Sequence, residues 1–175
     1  MRKLKIDLGE LAFAFENASW EHANYLDRET GEIILVTRET RALVEAALEE
    51  AGDQAVGPKE VADLVSAGGA PDWQAQAALE AARVELEPGR YLLIPQGDSH
   101  EGYRDMEAFL ETVNERLGDR LVQALRGRHP FRAFKDVLAG FPQERERWFA
   151  FHDARVRQRV LEWLESEGIE PLSEG

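Results

Sequence analysis

The chain contains no cysteine, which excludes disulfides, thiol nucleophiles, cysteine-ligated zinc and iron–sulfur clusters. No apolar run approaches the roughly 18 residues that a membrane span requires. The charged start, Met-Arg-Lys-Leu-Lys-Ile-Asp, is not followed by an apolar core of signal-peptide length. A soluble cytoplasmic protein with no membrane partner is expected. Basic residues are also scarce: 21 Lys and Arg stand against 34 Asp and Glu, a formal net charge of −13. That balance excludes a uniformly basic nucleic-acid coat. The P-loop, GxGxxG and GxSxG patterns are all missing. The four histidines (His22, His100, His129 and His152) never pair at i, i+3 or i+4, so there is no helical metal motif and neither metal nor cofactor is expected.

What is present is globular in composition, with 43% hydrophobic and 31% charged residues. A length of 175 residues suits a single domain with a real core. Within it, the Gly-rich stretch at 66–72 is the candidate flexible loop. Asp7 with Glu10 three residues on is a capping-box pattern, and Leu8, Leu11, Ala12 and Phe15 follow at helical spacing. This predicts a helix over about 7–17. The run Asn24-Tyr25-Leu26-Asp27, the turn through Gly31 and the run Glu32-Ile33-Ile34-Leu35-Val36 predict a hairpin. Four consecutive apolar positions in its second strand suggest an interior strand covered on both faces. A third strand is predicted at 90–95, ended by Pro95, which cannot donate to a ladder.

Helices are expected at 38–51, at about 58–66, and at 73–86 with Asp72 as cap. Further helices are expected at about 100–116, 118–126 and 130–139, and a long final one at 142–166, stopped by Gly168 before Pro171. Strands that do not alternate with helices indicate an α+β fold. The expected form is a small antiparallel sheet, the N-terminal hairpin plus one later strand, wrapped by helices and closed by a long C-terminal helix.

Charge is unevenly placed. Residues 120–163 hold ten basic and five acidic side chains, and seven of the fifteen aromatics. Guanidinium groups interleaved with aromatic faces can stack bases and hold phosphates. Much of that pattern is also what a core looks like, with the arginines simply pairing with the acidic remainder of the domain: Phe131, Phe134 and Leu138 recur at helical spacing. Trp148, Phe149, Val156, Val160 and Trp163 cluster on one side of the final helix. His152 falls at the edge of that stripe, as a partly buried packing residue. Phe151, Arg155 and Arg159 form an i, i+4, i+8 row beside the apolar stripe, and Arg126, Arg128 and Arg132 gather around the Gly127 turn. If the two groups meet they make an anion site, salt-sensitive and local. Replacing Arg155 and Arg159 by glutamate is then expected to abolish partner binding at a nearly unchanged melting temperature.

The neighbourhood Asp98-Ser99-His100-Glu101, after the third strand, is the candidate for carboxylate and histidine chemistry of hydrolase type near 96–103. Asp98 or Ser99 as a helix N-cap explains the same letters. The many carboxylates elsewhere read as solvated helix faces.

Several blocks taken together resemble the bacterial uncharacterised protein family 0158 over nearly the whole chain. They are Leu-Lys-Ile-Asp-Leu-Gly-Glu-Leu-Ala-Phe-Ala-Phe-Glu (4–16), the hairpin 25–36, Tyr-Leu-Leu-Ile-Pro (91–95) with Tyr103 and Met106-Glu107, Phe131-Arg132-Ala133-Phe134-Lys135-Asp136, Trp148-Phe149-Ala150-Phe151, Trp163-Leu164 and Gly168-Ile169. His129-Pro130 departs from the Gly-Ala that the family often carries before the Phe-Arg-x-Phe-Lys block. The resemblance implies a single cytosolic bacterial domain and no particular activity, and it marks 131–136 with Trp148 and Phe151 as one recurring block. Lys135 can also be a plain exposed charge, and Asp136 an i, i+4 ion-pair partner of Arg132. The expected function is a non-enzymatic binding or regulatory module, with no catalytic residues assigned. Its contact residues are Arg126, Arg128, Arg132, Lys135, Phe151, Arg155 and Arg159. The expected partner is anionic: nucleic acid, nucleotide or acidic protein. Docking of another protein on the loop bearing Trp20 or Trp73 is a further route.

Overall fold

A computed structural model describes residues 1–17, 19–97 and 99–172. The chain forms two compact units, Met1–Gln96 with Leu164–Gly175, and Gly97–Trp163. The fold is α+β, with eight helices among the described residues and few strands.

In the first unit, β1 (Arg2–Leu4) is followed by α1 (Leu8–Glu16), β2 (His22–Asp27) and β3 (Ile33–Thr37). The helices α2 (Arg38–Ala51), α3 (Pro58–Ala67) and α4 (Asp72–Leu86) come next, then β4 (Tyr91–Leu93). The expected cap of α1 is present: Asp7 accepts from the Glu10 N–H at 3.0 Å. The hairpin also forms as expected, β2 pairing antiparallel with β3 from His22↔Thr37 to Leu26↔Ile33. Gly31 supplies its turn at φ +80°, and a Cβ there would meet the Lys5 carbonyl oxygen at 2.3 Å, so only glycine fits. The third strand joins as β4, antiparallel to β2.

Two expectations are corrected. β2, not β3, is the central strand, and β3 is an edge whose Leu35 is 53% exposed. A run of four apolar residues cannot by itself separate an interior strand from an edge strand with one wet face. Asp72 is the first residue of α4 and Pro71 its cap. A strand pair unannounced by local pattern also forms: β1 runs parallel to β5 (Ile169–Pro171), past the Gly168 stop. Pro171 is tolerated there because the strand has a free edge. Ile34 and Val36 of β3 face Val44, Val61, Val65 and the alanines Ala78, Ala81 and Ala82, so α2, α3 and α4 cover that face of the sheet. Residues 68–71 connect α3 to α4, with Gly69 at φ +95°.

The hairpin carries a buried charge. Asp27 is 2% exposed and takes both arms of the Arg90 fork, at 3.0 and 2.8 Å, together with the Glu29 N–H at 2.9 Å. Burial pushes its carboxyl up, but the bonds from Arg90, Glu29 and Thr30 and the Arg90 charge prevail, holding it at about 2 against an ordinary 3.8. The unfolded chain therefore takes up this proton first. Asp27 is expected to contribute about 2 kcal/mol, fully present above about pH 5 and lost as pH falls toward 2. Urea unfolding between pH 7 and 2.5 should show the loss, and the Asp27→Asn variant should lack that part of the pH dependence.

The second unit is helical: α5 (Ser99–Leu110), α6 (Glu115–Arg126), α7 (Pro130–Ala139) and most of α8 (Pro142–Ser166). Helix 130–139 and the long final helix match the sequence reading, while the stretch read as one helix to about 116 ends at Leu110. Asn114 restarts the chain as the cap of α6, accepting from the Leu117 N–H at 2.9 Å. Leu117, Leu121 and Leu125, one turn apart, pack with Phe109, Phe134, Leu138 and Trp148.

Candidate functional site

Amphipathic α6 buries its leucine row and so turns Arg126 outward at its last turn. Tyr103 of α5 holds that end in place, its hydroxyl donating to the Leu125 carbonyl at 3.3 Å. After Gly127 the chain exposes Arg128 and enters α7 at Pro130, with His129 as a cap that makes no side-chain hydrogen bond. On α7, Phe134 and Leu138 are buried. That spacing puts Arg132 and Lys135 on the opposite, exposed face. No acidic residue stands in the first turn of α7, so its positive dipole end is not neutralised from within. Among the described residues, none of Arg126, Arg128, Arg132 and Lys135 forms an ion pair. The i, i+4 pairing of Arg132 with Asp136 is therefore absent. Phe131, expected in the core stripe, is 36% exposed, its ring touching the position where a Gly102 side chain would stand.

The other three residues of the expected surface have a different setting. Asp105 of α5 is fully buried. Its Oδ1 accepts from Arg155 Nε at 2.6 Å and also from Arg159 Nη2, and its Oδ2 accepts from Arg159 Nη1 at 2.9 Å. His152 Nδ1 lies 3.3 Å from the same carboxylate, and its ring stacks on Trp148 at 5.1 Å. Burial pushes the Asp105 carboxyl up, yet the hydrogen bonds and charges of Arg159 and Arg155 hold it below the ordinary carboxylate range. Phe151 lies in the aromatic cluster, 5.5 Å from Phe109 and 6.3 Å from Trp148 between centroids, with the Arg155 guanidinium 5.7 Å over its ring.

The row Phe151, Arg155, Arg159 is thus a structural seam, and reversing its charges would leave Asp105 facing two more carboxylates. With these contacts in place, reversing the two arginines is expected to lower stability as well. The buried sector of α8 is also wider than the apolar letters indicate. Phe151 is inside it, whereas Phe149 is 41% exposed beneath Arg145. Asp105 itself escaped the sequence reading: nothing local distinguishes it from the other acidic residues.

At the strand-end neighbourhood, Asp98 and the side chain of Ser99 lie outside the described residues. His100 is exposed on the first turn of α5, and Gln96 donates to the carbonyls of Ser19 and His22 at 3.3 and 3.4 Å. No group of three or more His, Cys, Asp or Glu that could hold a metal occurs among the described residues. No helix described is long and apolar enough to cross a membrane.

Counted by unit, Gly97–Trp163 carries twelve basic and twelve acidic side chains, and the other unit nine against twenty-two. The whole of the −13 therefore resides in the first unit. The second is neutral, and its exposed α6–α7 cations are a local feature.

Residues 72–175 match the model of the uncharacterised protein family UPF0158. The chain is 31% identical to the UPF0158 protein PA5073 of Pseudomonas aeruginosa, covering 99% of this chain and 90% of that protein. It is also 31% identical to a UPF0158 protein of Chlamydia muridarum, over 51% of this chain and 28% of that protein. No solved structure matches. With the family model spanning more than half of the chain and a relative aligned over nearly all of it, the chain belongs to the uncharacterised protein family UPF0158.

Proposed function

We propose that this protein is a non-enzymatic binding module of the bacterial cytoplasm whose α6–α7 surface takes the phosphate backbone of a nucleic acid. The observation that carries this is the set of exposed cations Arg126, Arg128, Arg132 and Lys135, without ion-pair partners among the described residues, around the unneutralised start of α7. Arginine forks match phosphate oxygens bidentately, and the partly exposed ring of Phe131, next to Arg132 in sequence, offers a stacking face for a base. Arg155, Arg159 and Phe151 act as support: they fasten α8 to α5 through Asp105 and through the aromatic cluster on which Phe134 of α7 also packs. A hydrolase site at 96–103 gains no support from the exposed setting of His100.

Binding of a single-stranded RNA oligonucleotide, followed by fluorescence anisotropy across a salt series, tests the proposal. Four phosphate contacts give an expected slope of about −3 in log K against log salt. Arg128→Glu with Arg132→Glu is expected to weaken binding at least about a hundredfold, with the melting temperature held. Salt-independent binding, or equal affinity in the double variant, would refute it. Retention of an acidic protein in place of RNA by the same residues would reassign the partner class.

A further inference from the structure

The first unit carries a cavity that the proposal above leaves unused. Thr37 ends β3 and caps α2, accepting from the Thr40 N–H at 3.1 Å, so strand and helix join without a loop. The Arg38 N–H donates to the Glu21 carbonyl at 2.7 Å, which brings the start of α2 against the start of β2. Arg38, Arg41 and Glu45, at i, i+3 and i+7, then share an exposed face of α2. Trp20, Glu21 and His22 stand opposite, and together these six line an open cavity of about 390 Å³. That lies in the lower part of the usual ligand-pocket range of about 300–1,000 Å³.

The chemistry of the lining is specific. In a unit with twenty-two carboxylates and nine cations, Arg38 and Arg41 form no ion pair among the described residues, although two glutamates line the same cavity. The Arg38 guanidinium instead lies 5.2 Å over the Trp20 ring, and Arg41 Nη2 donates to the Tyr25 hydroxyl at 2.8 Å. The indole is 77% exposed, a large aromatic surface left in water beside two guanidinium forks. A planar ring and an anion joined in one small molecule satisfy both features. Guanidiniums recognise phosphate bidentately, and an indole face stacks any base. Glu21 and Glu45 limit the negative charge that the cavity tolerates while offering acceptors for amino or hydroxyl groups. This favours one phosphate over a polyphosphate.

We infer that this cavity is a nucleoside monophosphate site, with the base against Trp20 and the phosphate on Arg38 and Arg41. The site is independent of the α6–α7 surface.

The full-length protein should be titrated with AMP, GMP, CMP, UMP and inorganic phosphate by calorimetry. At least one nucleotide is expected to bind saturably below about 1 mM, and more tightly than inorganic phosphate. Trp20→Ala and Arg38→Ala, both exposed positions, are each expected to weaken that binding at least about tenfold while melting as the parent does. Arg128→Glu with Arg132→Glu is expected to leave it unchanged. Absence of saturation for all four nucleotides at about 5 mM would overturn the inference. So would unaltered affinity in both cavity variants, or phosphate binding as tightly as the nucleotides.

Discussion

Replacing Asp105 by alanine is expected to cost about 3 kcal/mol of stability, the lower end of the range for breaking a buried ion pair. The carboxylate is fully buried and holds two guanidinium groups by three hydrogen bonds. Removing it leaves two positive groups facing one another across an apolar seam. The cost is moderated because the Arg155 and Arg159 side chains are 40% and 23% exposed and can partly rehydrate. Chemical denaturation should show the loss, with a fall in melting temperature of roughly 6–12 °C. The triple variant Asp105→Leu, Arg155→Met, Arg159→Leu is expected to recover most of it, because an apolar replacement of the whole cluster also removes the desolvation cost. The sign of the pH effect follows from the carboxyl lying below its ordinary value. The contribution is complete near neutrality and is lost on acidification below the ordinary carboxylate range. The alanine variant should show a weaker acid response than the parent.

Phe109→Ala should cost as much or more, about 3–5 kcal/mol. The side chain is 1% exposed, and its ring stands edge-on to Trp148 at 5.4 Å and to Phe134 at 6.3 Å, with Phe151 at 5.5 Å. Truncation leaves a cavity among rigid rings that cannot collapse into it, and forfeits the ring pairings themselves. Phe109→Leu, which refills most of the volume, should cost roughly half as much. Unfolding followed by near-ultraviolet circular dichroism checks this, since Trp148 loses an aromatic neighbour. Because Phe134 holds α7 on this cluster, the alanine variant is also expected to loosen the Arg132–Lys135 face. RNA affinity should then fall in step with stability, whereas charge reversal on that face lowers affinity alone.

Much of the local architecture was legible in the letters. Asp7 with Glu10, Gly31 in its turn, Pro130 ahead of Phe131 and the long run from Pro142 all signal through contacts of at most four residues or through a single backbone requirement. Of the expected contact residues, Arg126, Arg132 and Lys135 are exposed, as their helical positions indicate, and Arg128 is exposed in the link between the two helices. The others were decided at a distance. Asp105 meets arginines fifty and fifty-four positions later, and β1 pairs with a strand at the far end of the chain. Whether β3 sits at an edge depends on where β4 adds, on the other side of β2. Caps, turns and periodicity are written into neighbouring residues, so the sequence by itself determined most of the helices, the hairpin and the family, but not the β1–β5 pair or the break after Leu110. Which carboxylate neutralises which guanidinium, and hence which cations are left without an ion pair, depends on burial and distance, and those exist only once the helices have packed.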